Sequence, residues 1–307
     1  MPIDLSNLGK PTELAVPLFV GLVLLEIIYG WKTKRIVFEG KDTFTSMFMG
    51  MMSGFAGIIS AILYGGLALW IWSDLRLFDM GTDLWVFALA FVLADFSYYW
   101  IHRFGHRVRW MWAAHVIHHS SQHYNLSTAL RQTWTSFLTP SFLFYLPIFF
   151  LGIHPAIVFF CLGLNLIYQF WIHTEVINRC PKWFEAIMNT PSHHRVHHAK
   201  NPRYLDSNYA GVFIIWDRMF GSFVPERDDD PCNYGLVTDL GTFNPLRVAF
   251  HEWLGIVKDI AGAKSWRDRI LFLVAPPGWT PDGSRMTSDM IKDDWHARGD
   301  AKKVAAE

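Results

Sequence analysis

The chain has 307 residues, 51% hydrophobic, 16% aromatic and 18% charged. Soluble domains carry roughly a quarter charged residues, so an ordinary soluble domain is a poor fit. A formal net charge of zero implies no nucleic-acid partner, and three scattered cysteines (Cys161, Cys180 and Cys232) give neither a disulfide framework nor a CxxC metal pair.

Five apolar runs follow one another along the chain. Leu14 to Trp31 is the first, broken only by Glu26, which reads as a polar contact between helices. It follows thirteen residues without a basic stretch, so it is not a signal peptide. Phe44 to Trp72 is the second and carries no charge; it can hold one tilted or bent span, since a span needs about 20 residues. Leu84 to Ile101 is the third, interrupted by Asp95. Phe137 to Ile153 and Pro155 to Ile172 are the fourth and fifth, joined by a tight turn at Gly152 to Pro155 and read as a hairpin. The sequence thus predicts an all-α integral membrane protein with about four to five transmembrane helices.

The cluster Lys32-Thr33-Lys34-Arg35 follows the first run and is expected in the cytoplasm. Alternation then places His102 to Arg131 and everything from His173 onward on that same side. Arg103, Arg107, Arg109 and Arg131 fall there as well. From Pro276 the composition suggests a mobile tail. The last residues, Val304-Ala305-Ala306-Glu307, are no endoplasmic-reticulum retrieval signal, so a bacterial inner membrane is expected.

Nine or ten of the fourteen histidines gather in three clusters and one outlier, all beyond the ends of apolar runs. His102 and His106 form HxxxH. His115, His118 and His119 form HxxHH. His193, His194, His197 and His198 contain a second HxxHH, and His173 ends the fifth run. Histidines at i, i+3 and i+4 share one face of a helix. A structural zinc takes four ligands and a catalytic zinc typically three, so this set overfills one zinc and suits two adjacent metal ions. His123, His154, His251 and His296 read as ordinary polar residues. Asp95 and Asp217 are read as carboxylates behind the ligands, each accepting an imidazole N–H and fixing its tautomer.

These motifs resemble the fatty acid hydroxylase and sterol desaturase superfamily of membrane di-iron oxygenases. The flanking strings are similar to its alkylglycerol monooxygenase subgroup. They include Trp112-Ala113-Ala114-His115, Tyr124 to Gln132, Tyr168 to Asn178, Asn189 to His198 and Asn208-Tyr209-Ala210-Gly211. The resemblance covers roughly residues 45 to 260. Arg107, directly after HxxxH, departs from the subgroup, whose animal member has an acidic residue there.

The resemblance implies a histidine-rich cytoplasmic cap holding two iron ions, with His102, His106, His115, His118, His119, His173, His194, His197 and His198 as ligands and His193 as a tenth candidate. It implies an O2-dependent monooxygenase that hydroxylates a C–H bond of a membrane lipid. In the subgroup this is the carbon next to an ether oxygen of an alkylglycerol, with fatty aldehyde released. Tetrahydrobiopterin or another electron donor supplies the reducing power. The alternative is a hydroxylase or desaturase of a fatty acyl chain, a sterol or an ornithine-type lipid. The expected division is an N-terminal span with its basic loop (1–43), a membrane di-iron domain (44–260) and a polar tail (261–307). A zinc hydrolase would need a catalytic Glu within the motifs, as in HExxH, and none is there. A transporter would place its ligands at mid-bilayer, not past the span ends.

Overall fold

The computed structural model describes residues 2–34, 36 and 38–304; Arg35 and residues 305–307 lie outside the described residues. The chain is helical: α1 (Pro11–Thr33), α2 (Gly40–Asp74), α3 (Leu84–Arg107), α4 (Arg109–His119), α5 (Leu126–Ala129), α6 (Leu146–Phe150), α7 (Pro155–Trp171), α8 (Lys182–Ile187), α9 (Pro191–His198), α10 (Ile215–Met219), α11 (Pro245–Gly262), α12 (Trp266–Val274) and α13 (Ser288–Val304). Only isolated β-bridges, such as Met188 with Phe213, occur among the described residues.

Among the described residues three helices, α1, α2 and α3, are long and apolar enough to cross a membrane. Leu14, Leu18 and Leu25 on α1, and Phe55, Ile58 and Ile62 on α2, are each more than half exposed. Apolar surface this extensive is at home in lipid, not in water. The second run is one unbroken helix of 35 residues, ~52 Å long at 1.5 Å per residue. That exceeds the ~30 Å hydrocarbon layer. Its first turns bury Asp42, Thr45, Ser46 and Met49 against the polar part of the chain.

The fourth run differs from expectation. It is a chain of short pieces, 3-10 turns Ser136–Leu138 and Pro140–Tyr145 followed by α6. Pro140 and Pro147 explain the breaks, because proline lacks the N–H a continuing helix needs. The segment still runs along α2: Gly50 faces Leu130, Trp134 Nε1 donates to Met49 O, Tyr64 donates to Phe137 O, and Trp72 Nε1 donates to Gly152 O. The turn expected at Gly152 is present. Gly152 has φ +100°, and a Cβ there would sit 1.9 Å from Phe78 O, so no other residue fits.

α7 begins at Pro155, with the His154 side chain accepting from Ala156 N, and packs on α1 and α3. Phe87, Ala90, Ala94, Phe149, Ile157 and Val158 form the core of this bundle. Glu26 on α1 accepts from Leu126 N (2.6 Å) and from the Thr174 hydroxyl, fastening α1 to the residues beside His173. The segment after Pro276 is not simply a tail: it includes α13, and Asp289 near its start forms a two-pronged ion pair with Arg107.

Candidate metal centre

α3 ends at Arg107 and α4 starts at Arg109, so the single extended residue Val108 folds HxxxH back toward the first HxxHH. α9 begins at Pro191 and is buried along its whole length, which brings the second HxxHH against the first. His173 enters from just beyond the end of α7. The ligand-capable nitrogens fall into two groups, each within 4.8 Å throughout. One holds His102, His106, His115, His119 and His197; the other holds His118, His173, His194 and His198.

The hydrogen bonding behind the rings decides what the groups can do. His102 Nδ1 donates to Tyr209 O (2.7 Å), His173 Nδ1 to Gln169 O (2.7 Å), His197 Nδ1 to Ser207 O (2.9 Å) and His118 Nδ1 to Arg131 O (3.3 Å). A carbonyl can only accept, so each of these rings carries its proton on Nδ1 and presents a bare lone pair on Nε2. Two of those Nε2 atoms, of His173 and His118, face each other at 3.1 Å; His194 Nε2 also lies 3.0 Å from His173 Nε2, and His115 Nε2 lies 2.9 Å from His102 Nε2. The bare lone pairs of His118 and His173 repel at that distance unless a cation lies between them. His106 Nε2 and His198 Nε2 are buried without a protein partner. A donor set of neutral imidazoles fits iron, zinc, copper or nickel.

Burial, reinforced by the neighbouring imidazoles, holds His115, His119, His194, His197 and His198 well below the ordinary histidine range. Burial pushes His118 down to about 4. Neutral imidazole is the form that ligates metal.

His193 stands outside both groups. Its ring meets Phe223 edge-on at 5.4 Å between centroids.

Among the described residues neither Asp95 nor Asp217 has a hydrogen bond to an imidazole, which corrects the expectation for both. Asp95 accepts from Val212 N (2.9 Å), Phe213 N (3.1 Å), Asn165 Nδ2 (2.7 Å) and Trp216 Nε1 (2.8 Å). It anchors the loop after Gly211 to α3. A Cβ at Gly211 would come within 2.9 Å of Asp95 Oδ1, so this approach requires glycine. Asp217 accepts from Tyr209 N and Ala210 N, both at 2.8 Å, and from Ser222 Oγ at 2.7 Å. It thereby holds the residue whose carbonyl orients His102, one step further from the imidazole than expected.

The carboxylate that does face a histidine is Asp206, 3.4 Å from His106 Nδ1. Burial opposes its charge, but His106 and Arg107 hold its carboxyl below the ordinary range. Asp206 and Asn208 both have left-handed backbone, at φ 48° and 54°. Asn and Asp tolerate that region better than other side-chain-bearing residues. The kinked stretch aims the Asp206 carboxylate, Ser207 O and Tyr209 O at three different histidines. The Asn208 side chain locks it by donating to His193 O and Val224 O. In the sequence this cradle showed as the Asp-Ser-Asn composition and the family-like string Asn208-Tyr209-Ala210-Gly211. Arg107 is balanced by Asp206 and Asp289 and adds no unpaired positive charge beside the histidines.

Residues 87–222 match the fatty acid hydroxylase family model. The chain is 42% identical over 283 residues to an alkylglycerol monooxygenase of Danio rerio, covering 92% of this chain and 62% of that protein. It is 41% identical to the human alkylglycerol monooxygenase, covering 89% and 60%. An ornithine lipid hydroxylase of Rhizobium tropici is 30% identical over 46% of this chain and 44% of its own length. The chain thus spans about three-fifths of the length of its alkylglycerol monooxygenase relatives. These animal relatives lend nothing to the expectation of a bacterial membrane. No solved structure matches the chain. The match over residues 87–222 takes in both histidine groups, so this part of the chain is similar to the fatty acid hydroxylase family.

Proposed function

We propose that the chain is a membrane monooxygenase that holds two iron ions and uses O2 to hydroxylate a lipid C–H bond. The favoured target is the carbon next to the ether oxygen of an alkylglycerol, releasing fatty aldehyde. The observation that carries this reading is the pair of adjacent imidazole groups, with the bare Nε2 atoms of His118 and His173 turned toward each other. His102, His106, His115, His119 and His197 would hold one ion; His118, His173, His194 and His198 would hold the other. The irons would supply the redox chemistry that activates dioxygen.

The chain's own part is positional. The carbonyls of Tyr209, Gln169, Ser207 and Arg131 fix imidazole tautomers, a device typical of metal-ligating histidine. Burial keeps protons and water off the Nε2 atoms. The location of the groups at the ends of α3 and α7 lets a lipid tail approach from the bilayer and a soluble donor, of the reduced-pterin type, approach from water. We place this face in the cytoplasm, from the basic residues that accompany it.

A second reading, hydroxylation or desaturation of another lipid, is favoured by the similarity to the ornithine lipid hydroxylase. The test is a substrate panel with purified, iron-loaded protein and tetrahydrobiopterin. Aldehyde from 1-alkylglycerol alone supports the ether-lipid reading. A hydroxylated ornithine lipid or sterol without aldehyde replaces it. No oxidised product, from protein retaining iron, overturns the monooxygenase reading.

A further inference from the structure

α11 and α12 each leave an apolar stripe uncovered. On α11, Leu246, Phe250, Leu254 and Val257 are 63%, 38%, 66% and 64% exposed, at spacings of four, four and three residues. On α12, Trp266, Ile270 and Val274 are 76%, 57% and 47% exposed, four residues apart. These spacings put each set on one side of its helix. The opposite side of α11 is satisfied: Val248 and Ala249 pack with Val116 and Ile117 of α4 and Met49 of α2. Both helices are placed by their own caps, Asn244 before α11 and Ser265 before α12. The exposed stripes are therefore built features, not frayed ends.

Two observations say what covers them. First, the stripe adjoins the membrane-spanning surface. Phe243, just ahead of α11, accepts a hydrogen bond from Thr45 of α2 at 2.7 Å, and Phe44 beside Thr45 is 64% exposed. Second, the charge around the stripe that is free of ion pairs is mostly basic, with Asp268 the one acid among it in α11 and α12. Glu252 and Asp259 are taken up by Arg109, and Asp259 also by Arg285. Arg247, Lys258, Lys264 and Arg267 are exposed and have no ion pair among the described residues. An amphipathic helix with aromatic and aliphatic residues on one face and basic residues at its edge lies in the headgroup layer of an anionic bilayer.

We infer that α11 and α12 form an in-plane membrane anchor, seated apolar face down in an anionic lipid surface on the histidine side of the bilayer. The anchor is tied directly to the metal centre. Arg109, the first residue of α4, bonds Glu252 Oε1 and Asp259 Oδ2 of α11, both at 2.6 Å, and its backbone N–H donates to Ala275 O at the end of α12. The hairpin thus holds the helix bearing His115, His118 and His119 at a set depth relative to the lipid. The anchor does not depend on which reaction the centre performs.

The test is nitroxide depth measurement on the full chain in nanodiscs containing phosphatidylglycerol. Labels go at Leu254→Cys, Val257→Cys and Ile270→Cys, with Asp282→Cys as an aqueous control on an exposed loop. The background is Cys180→Ser with Cys232→Ser; Cys161 is buried and unreactive. Unchanged circular dichroism certifies each labelled protein. The expected result is a several-fold higher ratio of oxygen to nickel-chelate accessibility at the three stripe positions than at 282. Nickel accessibility equal to that at 282 overturns the anchor. Spin–spin broadening between copies at 257 also overturns it, since a second protein would then cover the stripe.

Discussion

Replacing Asp95 with asparagine separates two accounts of this residue. The carboxylate is fully buried and its oxygens accept from four donors. Asparagine keeps one acceptor oxygen and turns an NH2 group toward two of those donors. If the oxygen stays with Val212 N and Asn165, the amide faces Phe213 N and Trp216 Nε1; flipped, it faces the other two. Either way two buried N–H groups lose their acceptor, at roughly 1–3 kcal/mol each. Asparagine also relieves the burial of a charge, so the net loss is about 2–4 kcal/mol. At a few degrees per kcal/mol, the melting temperature falls by roughly 5–15 °C. The assay is thermal unfolding in detergent, paired with metal quantification on the same sample below the transition. No imidazole bonds to Asp95, so the metal content of the folded variant should match that of the parent. An unchanged melting temperature with lost metal would refute the structural account and restore the role expected from sequence, a carboxylate steering a ligand.

Three other outcomes follow from the same contacts. His118→Ala should bind less iron, whereas His193→Ala, outside both groups, should keep the parental amount; elemental analysis of both variants decides it. Metal-stripped protein should lose stability as pH falls from about 6.5 toward 4. The folded His118 value, about 4, lies below the ordinary 6.5, so the unfolded chain takes up protons first; a flat melting profile over that window would contradict it. Arg131→Met strands Asp42, its buried partner at 2.8 Å, and should cost about 3–5 kcal/mol in chemical unfolding; a cost under about 1 kcal/mol would show that water reaches Asp42.

Much of this architecture was legible in the sequence because its determinants are local. Long apolar runs specify α1, α2 and α3, and the i, i+3, i+4 spacing puts the HxxHH imidazoles on one helical face. Pro140 and Pro147 were visible too, but the length and apolarity of the fourth run hid the breaks they impose. What could not be read was long-range. Three of the four partners of Asp95 lie 117 to 121 positions away, in the loop after Gly211 and in α10, and Asp206 meets His106 across 100 positions, with no spacing rule to link them. Arg107, read alone, stood only as a departure from the subgroup. Asp289, which balances it, is 182 residues further on, in a segment whose polar composition suggested mobility.

The most direct test of the central claim is fatty-aldehyde release from 1-alkylglycerol by the purified chain. It is measured in the iron-loaded and metal-stripped forms, with tetrahydrobiopterin, in air and under nitrogen. The account predicts aldehyde only when iron, pterin and oxygen are all present, and none from His118→Ala. Equal aldehyde from the metal-stripped protein, or from the sample under nitrogen, would contradict it.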